Sequence, residues 1–66
     1  MIEVGYYYQK GDKWMMCYNH FHNVQKALRF LFMLKKHPKM VYMSLHCDDK
    51  YDENYLRRKT RIDEVR

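Results

Sequence analysis

The sequence predicts a small α+β domain with the element order β-β-α-β. Residues 2–8 and 13–19 are rich in Tyr, Met and Val and flank a turn, residues 24–34 carry apolar side chains at helical spacing, and residues 39–47 are again strand-like. We expect one helix to pack on a three-stranded sheet, with a short helix possible near the C-terminus. Because one helix covers only one face of a sheet, the other face is expected to meet the C-terminal segment, a second copy of the chain or a partner.

The first two strands are predicted to form a hairpin. Every second residue from Ile2 to Tyr8 is apolar or aromatic, which is the period of a β-strand. Gly11 follows in the sequence Lys-Gly-Asp and can adopt the positive φ of a tight turn. Residues 13–19 then form the returning strand.

The helix is predicted to begin near His22 or Asn23 and to end before Pro38. Asn23 is a favourable N-cap residue, and if His22 caps instead, Gln25 falls at the third helical position. Its apolar stripe consists of Val24, Ala27, Leu28 and Leu31 and continues at Leu34 or Lys35. This face is widened by Phe30, Phe32 and Met33. The lysines that precede Pro38 complement the negative end of the helix dipole.

The third strand is predicted over residues 39–47, and strand alternation divides its side chains between two faces. One face would then carry Val41, Met43, Leu45 and Cys47, and the other Met40, Tyr42, Ser44 and His46. The helical crossover favours an orientation parallel to one hairpin strand, although the strand with which it pairs stays open. We expect the helix stripe to pack against Val4, Tyr6, Val41, Met43 and Leu45.

Residues 1–47 are therefore expected to form the β-β-α-β domain, and residues 48–66 a charged tail. In this tail acidic residues precede basic ones, the order that stabilises a helix through its dipole, and a helix is predicted over residues 52–61. Its apolar stripe, formed by Tyr55, Ile62 and Val65, is thin. The tail thus docks on the sheet or becomes ordered on a partner.

Composition limits the class of protein. A 66-residue chain buries only a small core, and such domains are often helped by a metal, by disulfides or by oligomerisation, so a homodimer is compatible with the sequence. Two cysteines do not make a disulfide framework, and neither a signal peptide nor a membrane-spanning stretch is visible. We expect a cytoplasmic protein that does not bind membranes.

The net charge of +5 comes from residues 1–47, whereas the tail is neutral overall. A basic domain attracts nucleic acid or an acidic protein surface, although a modest excess of charge also serves solubility alone. Aromatic side chains on an open sheet face could stack on bases while lysines hold phosphates. The lysines considered for this alternative are Lys10, Lys13, Lys35, Lys36 and Lys39.

No catalytic or cofactor motif is present. Cys17, His20, His22, His46 and Cys47 are residue types that bind zinc, but their spacing matches no zinc pattern. Cys17 and Cys47 would approach only if the second and third strands were neighbours, and free cysteines commonly pack as small apolar residues. The histidines also lack a partner at a diagnostic spacing. We therefore predict a protein that is not an enzyme and holds no cofactor or metal.

The stretch from Val24 to Cys47 resembles part of the Dmd-like antitoxins, small accessory proteins of phages. The resemblance is carried by the run Val-Gln-Lys-Ala-Leu at residues 24–28, a Lys-rich helix end and a strand that ends in Cys47. Residues from Asp48 onward have no counterpart. The resemblance implies a small inhibitor that acts by occupying a host protein.

These observations predict a phage or mobile-element protein that binds and modulates a host protein, a defence or toxin component, and a homodimer is compatible with this function. Aromatic side chains concentrate binding energy, and basic residues supply a polar rim. The predicted partner-binding residues are Tyr7, Trp14, Tyr42, Arg57, Arg58, Lys59 and Arg61. The alternative is a nucleic-acid-binding module that uses a basic, aromatic sheet face.

Overall fold

The computed structural model describes residues 1–64 and contains three strands and two helices. In chain order these elements are β1 (Ile2–Lys10), β2 (Lys13–Phe21), α1 (Val24–Lys36), β3 (Met40–Cys47) and α2 (Glu53–Thr60). The predicted α+β class and β-β-α-β order are confirmed, and α2 follows them. None of the described helices has both the length and the apolar character needed to cross a membrane.

The sheet has the strand order β2-β1-β3, and each neighbouring pair is antiparallel. β3 runs in the same direction as β2, as the crossover rule indicates, but β1 lies between them. The prediction of a parallel orientation is therefore correct for the direction of β3 relative to β2, but β3 is hydrogen-bonded to β1, to which it is antiparallel. Gly11 forms the hairpin turn with a φ of +65°, between the paired residues Lys10 and Lys13.

A β-bulge in β3 overturns the prediction of unbroken alternation. Gly5 pairs with Ser44 and the next residue, Tyr6, pairs with Tyr42, so Met43 is an extra residue. A bulge of this kind shifts which side chains face the core. Before the bulge Met40 and Tyr42 face α1, and after it Leu45 and Cys47 do. Val41 and Met43, both predicted as core residues, lie on the opposite face of the sheet instead, and Val41 is exposed.

The core lies between α1 and the face of the sheet that α1 covers. It consists of Ile2, Val4, Tyr6, Ala27, Leu28, Leu31, Leu34, Met40, Leu45, Leu56 and Ile62. The Phe30 ring packs against Tyr6 and Phe21, with both pairs of ring centroids 5.3 Å apart. Phe32 and Met33 are exposed, so only Phe30 widens the apolar stripe as predicted.

Both helices carry side-chain N-caps. The Asn23 side chain accepts from the backbone N–H of Lys26 at 3.1 Å, as its position predicted, and Asp52 accepts from Tyr55 at the start of α2. The predicted stripe of α2 is wrong in part, because Tyr55 is exposed whereas Leu56 and Thr60 are buried with Ile62. Val65 lies outside the described residues.

Thr60 can be buried because its hydroxyl is satisfied within α2. The hydroxyl donates to the Leu56 carbonyl at 2.7 Å, so the polar atom of the Thr60 side chain has a hydrogen-bond partner. The polar appearance of Thr60 in the sequence therefore concealed a residue that faces the core. α2 packs against α1 and β3 as part of the same core.

Candidate functional site

The face of the sheet opposite α1, here called the outer face, is lined by apolar and aromatic side chains. Its members are Tyr7, Trp14, Met16, Tyr18, Val41 and Met43. Gly5 lies at the centre of this surface. A Cβ atom at Gly5 would lie 2.5 Å from Ser44 Oγ, 2.8 Å from Met43 Cε and 3.0 Å from Tyr18 Cε1. Because Gly5 has no side chain, side chains from the neighbouring strands occupy the centre of the face.

Nothing in residues 1–64 covers the outer face. Trp14 is 50% exposed and Met16 is 54% exposed, and Tyr18, Tyr7 and Val41 are exposed as well. The Tyr18 hydroxyl donates to Met16 Sδ at 3.1 Å, which ties two of these side chains together. A contiguous exposed patch of this composition is typical of an interaction surface.

The outer face is almost uncharged. Neither Lys nor Arg occupies a strand position on this face within residues 1–64, because strand alternation places Lys10 and Lys13 on the side of α1. The one acidic residue, Glu3, lies towards one end and contacts His20, with Oε2 and Nε2 2.9 Å apart. The centre of the face therefore offers aromatic and thioether groups rather than charge.

The two edges of the sheet differ. At the β3 edge, the Cys47 backbone N–H donates to Glu53 Oε1 at 3.3 Å, and Arg57 Nη2 donates to the Leu45 carbonyl at 2.9 Å. Two side chains of α2 thus occupy backbone groups that a fourth strand would use. At the other edge, β2 has no neighbouring strand within residues 1–64. An open edge is a ready site for pairing with another chain.

Arg57 is the centre of the contacts that hold α2 in place. Its Nη1 donates to the Tyr42 hydroxyl at 2.9 Å and to Asp63 Oδ1 at 2.9 Å, and its Nη2 lies 3.3 Å from Glu53 Oε2. Burial opposes the charge of Arg57, but the bonds to Asp63 and Tyr42 outweigh it and raise the pKa of the guanidinium above its ordinary value.

Tyr42 and Cys47 have altered pKa values at the same junction. Burial raises the pKa of Tyr42, and the bond from Arg57 offsets part of that effect. Burial, with the nearby Glu53 carboxylate, raises the pKa of the Cys47 thiol. Both side chains are held in their neutral forms, which is the property of packing residues rather than of a reactive centre.

The predicted partner-binding residues do not form one surface. Tyr7 and Trp14 lie on the outer face, whereas Tyr42 lies on the side of α1 and bonds to Arg57. The remaining basic residues, Arg58, Lys59 and Arg61, are exposed at the C-terminal end of α2. Met16 and Tyr18 were not among the predicted residues, although their even spacing from Trp14 places them on the same face of a strand.

The five lysines proposed for nucleic acid gather at one end of the molecule, here called the hairpin end. Lys10 and Lys13 flank the hairpin turn, and the Lys39 carbonyl accepts from the Gln9 N–H at 2.8 Å. Three residues separate the end of α1 from the start of β3, which brings Lys35 and Lys36 to the same end. These lysines lie together, but apart from the aromatic outer face.

The metal-ligating residue types are divided between surfaces. His20 and His46 both pair with Glu3 on the outer face, whereas Cys17 pairs with Tyr6 on the side of α1. Because β1 separates β2 from β3, Cys17 and Cys47 lie about 16 Å apart by strand spacing and rise. Within the described part of the chain, no three His, Cys, Asp or Glu side chains converge on a metal-binding position.

Comparison of the chain with protein-family models, with curated proteins and with solved structures gives no match. The site is therefore defined by its own geometry, an uncharged aromatic sheet face that borders one open edge.

Proposed function

We propose that this chain is a non-catalytic protein-binding domain whose interface is the outer face, bordered by the open edge of β2. This proposal depends on one observation about the outer face. Its aromatic and Met side chains are exposed, and its described strand positions hold neither Lys nor Arg. Protein interfaces are enriched in Tyr, Trp and Met and are depleted of charge at their centre.

The same observation favours a protein over nucleic acid at this surface. Binding to nucleic acid draws most of its affinity from cations placed on phosphates. Lys10 and Lys13 point to the other side of the sheet, so Trp14 and Tyr7 have no lysine beside them on their own face. The alternative of a basic, aromatic sheet face is therefore the weaker proposal for the outer face.

Trp14 and Tyr18 are the proposed anchors of the interface. Binding energy at interfaces concentrates in a few aromatic side chains that become fully buried on association. Trp14 on β2 adjoins both the aromatic face and the open edge, and Tyr18 is held near the centre by its contact with Met16. Tyr42 is replaced in this role, because it already packs within the chain.

The resemblance of residues 24–47 to Dmd-like antitoxins supports a finer proposal. In that proposal the partner is a host protein, a toxin or a defence component, in the cytoplasm of the host, and binding modulates it by occupying its surface. A partner of this kind requires no catalytic group from this chain.

Affinity capture with matched baits tests the proposal. The natural chain and a Trp14→Ala/Tyr18→Ala variant are immobilised and exposed to the same host lysate, and the captured proteins are quantified by mass spectrometry. We expect a protein that is retained by the natural chain and lost from the double variant. Tyr55→Ala, which removes an exposed aromatic ring from α2, is the control and should capture the same protein.

Two results would overturn the proposal. Equal capture by all three baits would show that the outer face is not the interface. Unfolding of the double variant, measured by circular dichroism, would show that Trp14 and Tyr18 are structural residues. Light scattering of the natural chain and the double variant separates a second copy from another protein, because a dimer formed through this face would dissociate in the variant.

A further inference from the structure

A second surface, separate from the outer face, lies between the C-terminal ends of α1 and α2. α1 runs from the end of β2 to the start of β3, and Lys35 Nζ donates to the Thr60 carbonyl at 3.3 Å. Both helices therefore end at the hairpin end of the molecule. The helix-end groove, with a volume of about 480 Å³, is lined by Phe32, Lys35, Lys36, Lys59, Thr60 and Arg61.

The groove carries more positive charge than its surroundings neutralise. Among residues 1–64, six residues line the groove, of which four are cationic and none is acidic. The two helix C-termini together supply about one negative charge, and Arg61 also pairs with Glu64 at 3.1 Å. About two positive charges remain, so the stabilisation of helix dipoles does not account for the whole cluster. Within residues 1–64, neither Lys36 nor Lys59 has an ion-pair partner.

An exposed aromatic ring lies among these cations. Phe32 is 40% exposed and lines the groove beside Lys36, although an apolar ring at a helix surface gains nothing from solvent. Single-stranded nucleic acid is bound by this combination, with bases stacked on aromatic rings and phosphates held by basic side chains. A carboxylate-rich peptide would use the cations but would gain little from the ring.

The basic surface continues beyond the groove. Lys39 precedes β3, and Lys10 and Lys13 project from the hairpin end on the side of the sheet that α1 covers. Five of the eight acidic residues lie towards the other end of the molecule: Glu3, Asp48, Asp49, Asp52 and Glu53. The charge is thus polarised along the strands, which would steer an extended anion to the helix-end groove.

We propose that the helix-end groove binds single-stranded nucleic acid, with a base stacked on Phe32 and phosphates held by Lys36, Lys59 and Arg61. This site is independent of the proposed protein interface, because the groove and the outer face lie on opposite sides of the sheet. The same phosphate chemistry could come from a free polyphosphate, and competition by tripolyphosphate in the test separates that source from single-stranded nucleic acid.

Fluorescence anisotropy with short labelled single-stranded DNA and RNA, measured over a range of salt concentrations, tests the proposal. Lys36→Gln/Lys59→Gln removes two charges from the groove, and Lys26→Gln/Lys50→Gln removes two from the opposite end as the matched control. We expect the groove variant to lower the slope of log affinity against log salt by about 1.4, since each single-strand phosphate contact contributes about 0.7. The control should keep the natural slope.

Phe32→Leu tests the stacking contact without adding charge. We expect this variant to bind the oligonucleotide about tenfold more weakly, because a base loses its aromatic surface. Tripolyphosphate has no base, so its inhibition constant should be the same for Phe32→Leu and the natural chain. Circular dichroism verifies that each variant is folded, and Trp14→Ala should bind the oligonucleotide as the natural chain does.

The proposal is overturned by any of four results. The first is oligonucleotide binding that does not depend on salt, and the second is an equal loss of affinity in the groove and control variants. The third is competition by tripolyphosphate as strong as by unlabelled oligonucleotide. The fourth is competition by an oligoglutamate peptide as strong as by the unlabelled oligonucleotide. The third result would assign the groove to free phosphates, and the fourth to acidic peptides. Failure of this proposal would leave the protein interface on the outer face untouched.

Discussion

Arg57 donates a hydrogen bond from Nη2 to the backbone carbonyl of Leu45 across 2.9 Å. This contact joins α2 to the edge of β3 and gives a partner to a strand carbonyl that, within residues 1–64, has no neighbouring strand on that side. Arg57 also bonds to Tyr42 and Asp63, so one side chain fixes the edge of the sheet, a core aromatic residue and the segment that follows α2.

Arg57→Ala is expected to destabilise the fold by about 2 kcal/mol, because a hydrogen bond to a charged group contributes roughly 1.5–3 kcal/mol and some of these bonds are partly exposed. Urea unfolding followed by circular dichroism measures the change. Arg58→Ala, which removes the exposed neighbouring arginine, is the matched control and should alter stability by less than about 0.5 kcal/mol. Equal effects of the two substitutions would contradict this role of Arg57.

Two aromatic residues that the sequence predicted as equivalent anchors should respond differently to truncation. Tyr42→Ala is expected to cost about 2–4 kcal/mol, because it removes a packed ring and the partner of Arg57. Trp14→Ala is expected to cost less than about 1 kcal/mol, since its side chain is half exposed. Thermal unfolding of the two variants tests this difference, and a larger loss for Trp14→Ala would place that residue in the core.

Gly5→Ala should destabilise the sheet by about 1–3 kcal/mol, because the new methyl group would overlap Ser44 Oγ and Met43 Cε on the outer face. Ser44→Ala in the same chain removes the closest of these atoms and should recover much of the loss. Urea unfolding of the single and double variants measures both effects. Equal stability of Gly5→Ala and Gly5→Ala/Ser44→Ala would show that the contact with Ser44 is not the cause.

Cys47 should react slowly with alkylating agents in the folded chain, because the thiolate is the nucleophile and the pKa of this thiol is raised. Mass spectrometry of iodoacetamide-treated protein at pH 8 should show faster modification of Cys47 in urea than in buffer. Glu53→Gln retains an acceptor for the Cys47 N–H and removes the carboxylate, so it should speed the folded-state reaction. Cys17, in the same chain, should keep its rate and serves as the internal control.

The raised pKa of Cys47 also sets the sign of a pH effect on stability. A group whose pKa is higher in the folded state contributes stability that is complete below its unfolded value, about 8.5, and is lost as the pH rises through the folded value. The decline in the free energy of unfolding above pH 8.5 should therefore be smaller in Cys47→Ala. Equal pH profiles for the natural chain and this variant would contradict the assignment.

Local patterns in the sequence were sufficient to predict most of the secondary structure. Gly11 marks the hairpin turn and Asn23 caps α1, and both effects depend on residues close in sequence. The bulge at Met43 was not predictable in this way, because it is defined by pairing with β1, which is distant in the chain. One extra residue reversed the predicted facing of Val41 and Tyr42.

The candidate site was predicted only in part, because some of its features depend on contacts between residues that are distant in the chain. The uncovered sheet face followed from the count of helices and the aromatic content of the strands, and Trp14 lies on it. The position of Tyr42 required the bulge, and the role of Arg57 required the docking of α2, neither of which composition reveals. The neutral charge of residues 48–66 likewise concealed that α2 carries its basic end to the lysines of α1.

The unequal edges of the sheet limit how far this chain can assemble through its strands. Continuous fibrils require two open edges on every subunit, so that each subunit accepts one neighbour and offers a template to the next. Here Glu53 and Arg57 occupy backbone groups on the β3 side, and among the strands of residues 1–64 only β2 can act as a template. If two chains paired through their β2 strands, both open edges would be occupied. Strand addition would then stop at a dimer with one six-stranded sheet.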